Sequence, residues 1–271
     1  MVITNRPDYQ EKRATAGTIR IWTQRIHRWI LLSSSSRFFL IRVVMDRLHI
    51  TGLKSAYGRH QVLQDVNLTV QQGQIIGIVG ANGCGKSTFL QILAGLRTPD
   101  DGSIYLDGQQ VKGRAGRSLL LRYMGYVPQE SNLIQELSVR DNLLLWYRDK
   151  YRLKKELEEG FLHTLGVQQM CSMRAQNLSG GMKKRVSIGC ALAESPVILL
   201  LDEPNAALDL PAKEQIREYL LQYRSQGGTV LLATHDESDL EICDSVYALC
   251  QGHMKKIDRT LRGKQLVEEL E

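Results

Sequence analysis

Gly80-Ala81-Asn82-Gly83-Cys84-Gly85-Lys86-Ser87 is the stretch on which the fold of this chain turns. Its spacing is G-x-x-x-x-G-K-[ST]. Small residues let successive backbone N–H groups curl around a β-phosphate at a helix N-terminus. The Lys86 ammonium reaches the β and γ phosphates, and the Ser87 hydroxyl is placed to ligate Mg²⁺. Thr88, the next residue, is counted with these as a nucleotide contact. A short apolar run over 74–79 leads into the loop, and 86–94 carries apolar Phe89, Leu90, Ile92 and Leu93 before Gly95 stops it. The loop is therefore predicted to join a strand to a helix.

Further along, the apolar run Val197-Ile198-Leu199-Leu200-Leu201 ends in Asp202-Glu203-Pro204. Two adjacent carboxylates at the carboxyl end of a buried parallel strand sit at the crevice where α/β sheets bind ligands. An ordinary acidic turn is the bland alternative. The functional reading has Asp202 holding Mg²⁺ through water and Glu203 polarising an attacking water. Together the two motifs predict a P-loop nucleoside triphosphatase. Residues 229–234 form a second continuous apolar run, with a helical segment over 212–223 between the two, as expected of parallel strands buried on both faces. Runs at 49–55 and 62–70 flank the turn Tyr57-Gly58-Arg59-His60 and predict an antiparallel edge. From about 130 to 182 the pattern is helical. The predicted fold is α/β: a P-loop NTPase core with a parallel sheet, an antiparallel β edge subdomain and a helical subdomain.

Composition narrows the partners. The chain has 271 residues, 43% hydrophobic and 24% charged, which is ordinary globular composition. Its five cysteines, Cys84, Cys171, Cys190, Cys243 and Cys250, include no CxxC pair, so reduced thiols are expected and a structural metal is not. The net charge is +6, yet eight basic residues against two acidic ones within 1–44 account for all of it. The remainder is neutral, so no nucleic-acid partner is expected. No run reaches the roughly 18 apolar residues of a spanning helix, which predicts a soluble chain that meets a membrane through a partner or at its surface. Residues 1–44 stand apart as a basic extension. They are read as disordered or as untranslated, with Met45 the true start, the sharper reading being a basic arm on anionic lipid. Peptides from upstream of Met45 in mass spectra of the native protein would dispose of the untranslated reading.

Gln176-Asn177-Leu178-Ser179-Gly180-Gly181-Met182 narrows the class to a family, because it resembles the LSGG signature of the ABC (ATP-binding cassette) proteins. Other features follow in that family's order. Tyr57 lies where the family places the aromatic that stacks on adenine, although a lone tyrosine is more often plain packing. Gln129 in Val127-Pro128-Gln129 matches the Q-loop glutamine, which in the family contacts Mg²⁺ and the water and couples to the membrane partner. Asn205-Ala206-Ala207-Leu208-Asp209 resembles the D-loop, and His235 in Thr234-His235-Asp236 matches the switch histidine. Met182 stands where glutamine is commonest, and Asn205 and Ala206 vary the usual D-loop. The resemblance covers about residues 46–258, so 45–271 is taken as one ATP-binding domain.

The resemblance implies ATP and Mg²⁺ as ligands and a head-to-tail dimer, with itself or a related cassette. In it Ser179, Gly180 and Gly181 of one copy close over the γ-phosphate held by the other. It makes Lys86, Gln129, Glu203 and His235 the catalytic set and Ser87, Gln129 and Asp202 the metal contacts. It also implies transmembrane permease subunits on separate chains and a cytoplasmic cassette, peripheral on the inner face of the cell membrane. Transport, inclined toward export, is the leading function. A non-transport cassette such as the iron-sulfur assembly type is the alternative, and a nucleic-acid or lipid binder acting through the extension is a third that the neutral cassette does not support.

Overall fold

A computed structural model of the chain describes residues 20–24, 27–34, 37–42, 46–206 and 208–270. It divides into two compact units, Met1–Val44 and Met45–Glu271. In the first, β1 (Arg20–Gln24), β2 (His27–Ser34) and β3 (Arg37–Arg42) form an antiparallel sheet in chain order, with Trp22 paired to Trp29 and Ile30 to Ile41. The readings of 1–44 given above fall in part on residues outside those described.

The second unit contributes β4 (Asp46–Tyr57), β5 (His60–Gln71), β6 (Ile75–Val79), β7 (Asp101–Leu106), β8 (Gln109–Gln110), β9 (Met124–Val127), β10 (Ile198–Asp202), β11 (Thr229–Ala233), β12 (Ser245–Cys250) and β13 (His253–Ile257). They form one sheet in the order β8-β7-β4-β5-β13-β12-β6-β11-β10-β9. From β12 to β9 every neighbouring pair is parallel, whereas β4, β5, β7 and β8 pair antiparallel. The hairpin β12–β13 joins the two regions, since β13 meets β5 through His253 and Asp65.

The strands β6, β10 and β11 are buried at every position, which is why their sequences read as unbroken apolar runs. Alternate residues still part to opposite faces. Ile75, Val79, Leu199 and Leu201 enter one hydrophobic cluster, and Ile76, Ile78, Ile198 and Leu200 enter the other. Eight helices cover these faces among the described residues: α1 (Lys86–Leu93), α2 (Gly113–Tyr123), α3 (Val139–Leu144), α4 (Lys150–Glu158), α5 (Phe161–Thr164), α6 (Gly180–Ala191), α7 (Leu210–Ser225) and α8 (Gly263–Glu268). Helix α1 packs into the cluster shared with β4 and β5, while α3 to α7 build the other. In the latter, Phe161 of α5 stands edge-on to Tyr219 of α7, with ring centroids 5.3 Å apart. Buried Asn142 of α3 accepts from Ile134 N–H at 2.8 Å and donates to the carbonyls of Ile134 and Ser138 at 3.0 Å, which ties the irregular approach to the helical lobe onto its first helix.

Candidate functional site

The sheet order decides where the site lies. Strands β6, β11, β10 and β9 are neighbours and all parallel, so their carboxyl ends open on one side. The segments that follow them are the loop 80–87, Thr234-His235, Asp202-Glu203 and Pro128-Gln129 respectively. Pieces of chain more than 150 residues apart thus meet along one edge.

Two of the loop's three glycines, Gly80 and Gly85, answer to close packing. A Cβ on Gly80 would lie 2.5 Å from the Leu249 carbonyl oxygen and 2.6 Å from the Cys84 sulfur. Gly85, at φ 111°, caps α1 in a left-handed conformation, and a Cβ there would stand 2.7 Å from Val62. Burial pushes the Cys84 thiol above its ordinary value, against the opposing pull of Lys86. The Lys86 ammonium folds back across the loop, donating to the carbonyls of Gly80 at 2.8 Å and Ala81 at 3.3 Å, and stands 3.9 Å from Glu203 Oε1.

These groups line an open cleft of about 470 Å³. Asn82, Gly83, Gly85, Lys86, Ser87 and Thr88 form its floor, and Tyr57, Gln129, Asp202, Glu203 and His235 stand around it. Gly80, Ala81 and Cys84 are not among the lining residues. Ser179, Gly180 and Gly181 are not among the lining residues; they open α6, where Ser179 Oγ accepts from the Met182 N–H at 3.3 Å.

Glu203 faces the cleft from a strained backbone at φ 48°, with its N–H held by the Ala233 carbonyl at 2.9 Å. Its Oε2 lies 2.6 Å from His235 Nδ1. A carboxylate only accepts, so the imidazole proton sits on Nδ1 and Nε2 is left for another partner. Asp202 is buried; its Oδ2 accepts from the Tyr126 hydroxyl at 3.3 Å, and its Oδ1 has no partner. Burial, then the charge of Asp202, pushes the Tyr126 phenol up to about 12. Among the described residues no group of three or more His, Cys, Asp and Glu side chains could hold a metal. A cation here would take a few protein oxygens, the orphaned Asp202 Oδ1 and the Ser87 hydroxyl, and fill its shell from water and phosphate, which is how Mg²⁺ is bound. The residues present fit that ion.

Several residues around the site carried no motif in the sequence. His60 and Val62 line the cleft from β5. Arg97 lies over the Tyr57 ring, 3.8 Å from its centroid, while also donating to Ser55 Oγ at 3.0 Å and the Ala56 carbonyl at 2.5 Å. Lys184 of α6 donates to the carbonyls of Pro128 and Gln129, each at 2.9 Å. Burial draws its ammonium down to about 8, against the pull of Asp202 and Glu203. The helix that begins at Gly180 therefore also fixes the Gln129 segment. Single lysines and arginines far from their targets in sequence give no local signal.

A phosphate loop beside a carboxylate pair and a histidine, at the carboxyl ends of four parallel strands, defines a P-loop NTPase. Comparison with known proteins carries this to a family. The family model for the ABC transporter matches residues 63–206. The chain is 33% identical to the lipopolysaccharide export system ATP-binding protein LptB of Escherichia coli K12, over 78% of this chain and 89% of that protein. It is 34% identical to the Fe(3+) ions import ATP-binding protein FbpC of Haemophilus influenzae, over 79% of this chain and 63% of that one. Its fold overlays the dimeric ATP-binding cassette MJ0796, in a post-hydrolysis state bound to ADP and Pi, with a TM-score of 0.69 and 30% identity over 80% of this chain and 99% of that one. The chain belongs to the ABC transporter ATP-binding family, and it is an ATPase.

Proposed function

We propose that this ATPase energises translocation by a membrane transporter whose spanning subunits are separate chains, which hold it peripherally on the cytoplasmic face. Among the described residues no helix is long and apolar enough to cross a membrane. The observation that carries the proposal is the juxtaposition in one cleft of Lys86, Glu203 and His235 at the mouth of a phosphate loop. On this reading Lys86 and His235 carry charge on the γ-phosphoryl group and Glu203 orients the attacking water. Ser87, Asp202 and Gln129 would hold Mg²⁺, which when bound neutralises phosphate charge. The Tyr57 ring, backed on one face by Arg97, stacks on adenine.

The segment Ser179-Gly180-Gly181 serves the cleft of a second cassette, the same chain or a related one. Support comes from its place at a capped helix N-terminus away from its own cleft, and from the dimeric state of the MJ0796 relative. Export is the proposed direction, supported by identity that runs over 89% of the export subunit LptB. The test is to express the tagged chain in its native cell, solubilise the membranes gently and identify what co-purifies. Recovery with a multi-span membrane protein is expected. Recovery only with soluble scaffold proteins or ribosomes overturns transport, and ATP-dependent uptake of the cargo into right-side-out vesicles overturns export.

A further inference from the structure

We infer that Asp239 is a positioning residue for hydrolysis, its carboxylate clamping the segment after Glu203 to the segment before His235. The inference rests on the reading of those two residues as the pair that faces water and phosphate.

The ladder between β10 and β11 ends at Asp202 and Ala233, one residue short of Glu203 and two short of His235. Past that point the Glu203 N–H bond to Ala233 is the one backbone link between the two segments among the described residues. Asp239 supplies the next. It lies in the short helical turn Glu237–Ile242 and is 4% exposed. Its Oδ2 accepts from the Thr234 hydroxyl at 2.5 Å, and its Oδ1 accepts from the Asn205 side-chain amide. Thr234 immediately precedes His235, and Asn205 is two residues past Glu203. Thr234 Oγ1 also accepts from the Asp236 N–H at 2.9 Å, so the same hydroxyl holds the chain on both sides of the histidine.

Two observations separate this from simple capping of a turn. The cap of the turn is Asp236, whose Oδ1 accepts from the Ser238 N–H at 3.0 Å, so Asp239 is not needed for it. The Asn205 Oδ1 is buried without a partner, which leaves the carboxylate as the group that orients this amide. Burial raises the Asp239 pKa, opposed by the hydrogen bonds from Thr234 and Asn205. A carboxyl kept there against desolvation, bonded to the two segments that present Glu203 and His235, sets their separation.

The test measures steady-state ATP hydrolysis, trinitrophenyl-ATP affinity and thermal midpoint on the purified full chain. Asp239→Ala is expected to lower kcat about tenfold or more, the scale of a misplaced catalytic group, with KM and nucleotide affinity unchanged. Asp239→Asn, which keeps an acceptor for Asn205 and offers a donor to Thr234, restores most of the rate. Adding Asn205→Ala to Asp239→Ala costs nothing further, because both remove one link. A folded Asp239→Ala with the original kcat, a loss confined to KM, or losses that multiply in the double variant overturns the clamp. If Asp239→Ala does not fold, the near-isosteric Thr234→Val is read instead, and an unchanged kcat there overturns it equally. Glu203→Gln runs alongside: if that variant hydrolyses ATP normally, the reading of Glu203 has failed and not the clamp alone.

Discussion

At the scale of single residues, the proposed chemistry turns on Glu203. Its carboxylate is shared between the Lys86 ammonium at 3.9 Å and His235 at 2.6 Å, and it is the group proposed above to orient water. Glu203→Gln should lower turnover on the order of a hundredfold or more while ATP still binds, as a phosphate-release assay and equilibrium nucleotide titration will show. On the same proposal Tyr57 acts on binding instead. Base–aromatic stacking is worth about 1–3 kcal/mol, so Tyr57→Ala should raise the KM for ATP roughly tenfold with kcat little changed. Most residues around the cleft were legible in the sequence because each lies in a short, contiguous pattern: 80–87, 202–204, 127–129 and 234–236. Arg97, Lys184 and Asp239 were not, because each acts on carbonyls, rings or amides more than 30 residues away, and nothing local marks such a pairing.

At the scale of elements, the apolar run at 74–79 marked a strand and those at 197–201 and 229–234 marked parallel strands, since burial on both faces favours apolar side chains at nearly every position. Less legible was the order that sets β6 between β11 and β12, because uniformly apolar strands carry no pattern that selects a neighbour. Helix α6 begins at Gly180 because the Ser179 side chain caps it. Ser179→Ala should therefore lower stability by about 1 kcal/mol, measured as a shift in the urea midpoint of the isolated chain. Helix α7 holds a different kind of cost. Tyr219 is fully buried against Phe161, and its hydroxyl has no partner. Tyr219→Phe removes a desolvated polar group and keeps the ring, so it should leave stability unchanged or raise it by about 1 kcal/mol; a loss of that size would show that the hydroxyl is paired in solution.

Across the whole molecule, thiols buried in the core tie stability to alkaline pH. Burial, aided by Asp239 and Asp244, pushes Cys243 up to about 12 from an ordinary 9.0, and burial alone does the same to Cys190. An acid whose folded pKa is raised contributes its full share below pH 9.0 and loses it as pH climbs toward 12, because the unfolded chain then binds fewer protons. Urea midpoints should fall between pH 8.5 and 10.5, and Cys243→Ala should shallow that decline; an unchanged slope would place the thiol in water. The sheet has a consequence for synthesis as well. Strand β6, which feeds the phosphate loop, is flanked by β11 and β12, and β12 begins at Ser245. A ribosome adding about 5–20 residues per second needs roughly ten seconds or more to travel from one to the other. Throughout that interval the nascent loop lacks the Leu249 carbonyl that packs against Gly80, and an apolar strand waits for β11 (Thr229–Ala233) and then for β12. A fragment ending before residue 245 leaves one edge of that buried strand unpaired, and is expected to be aggregation-prone for that reason.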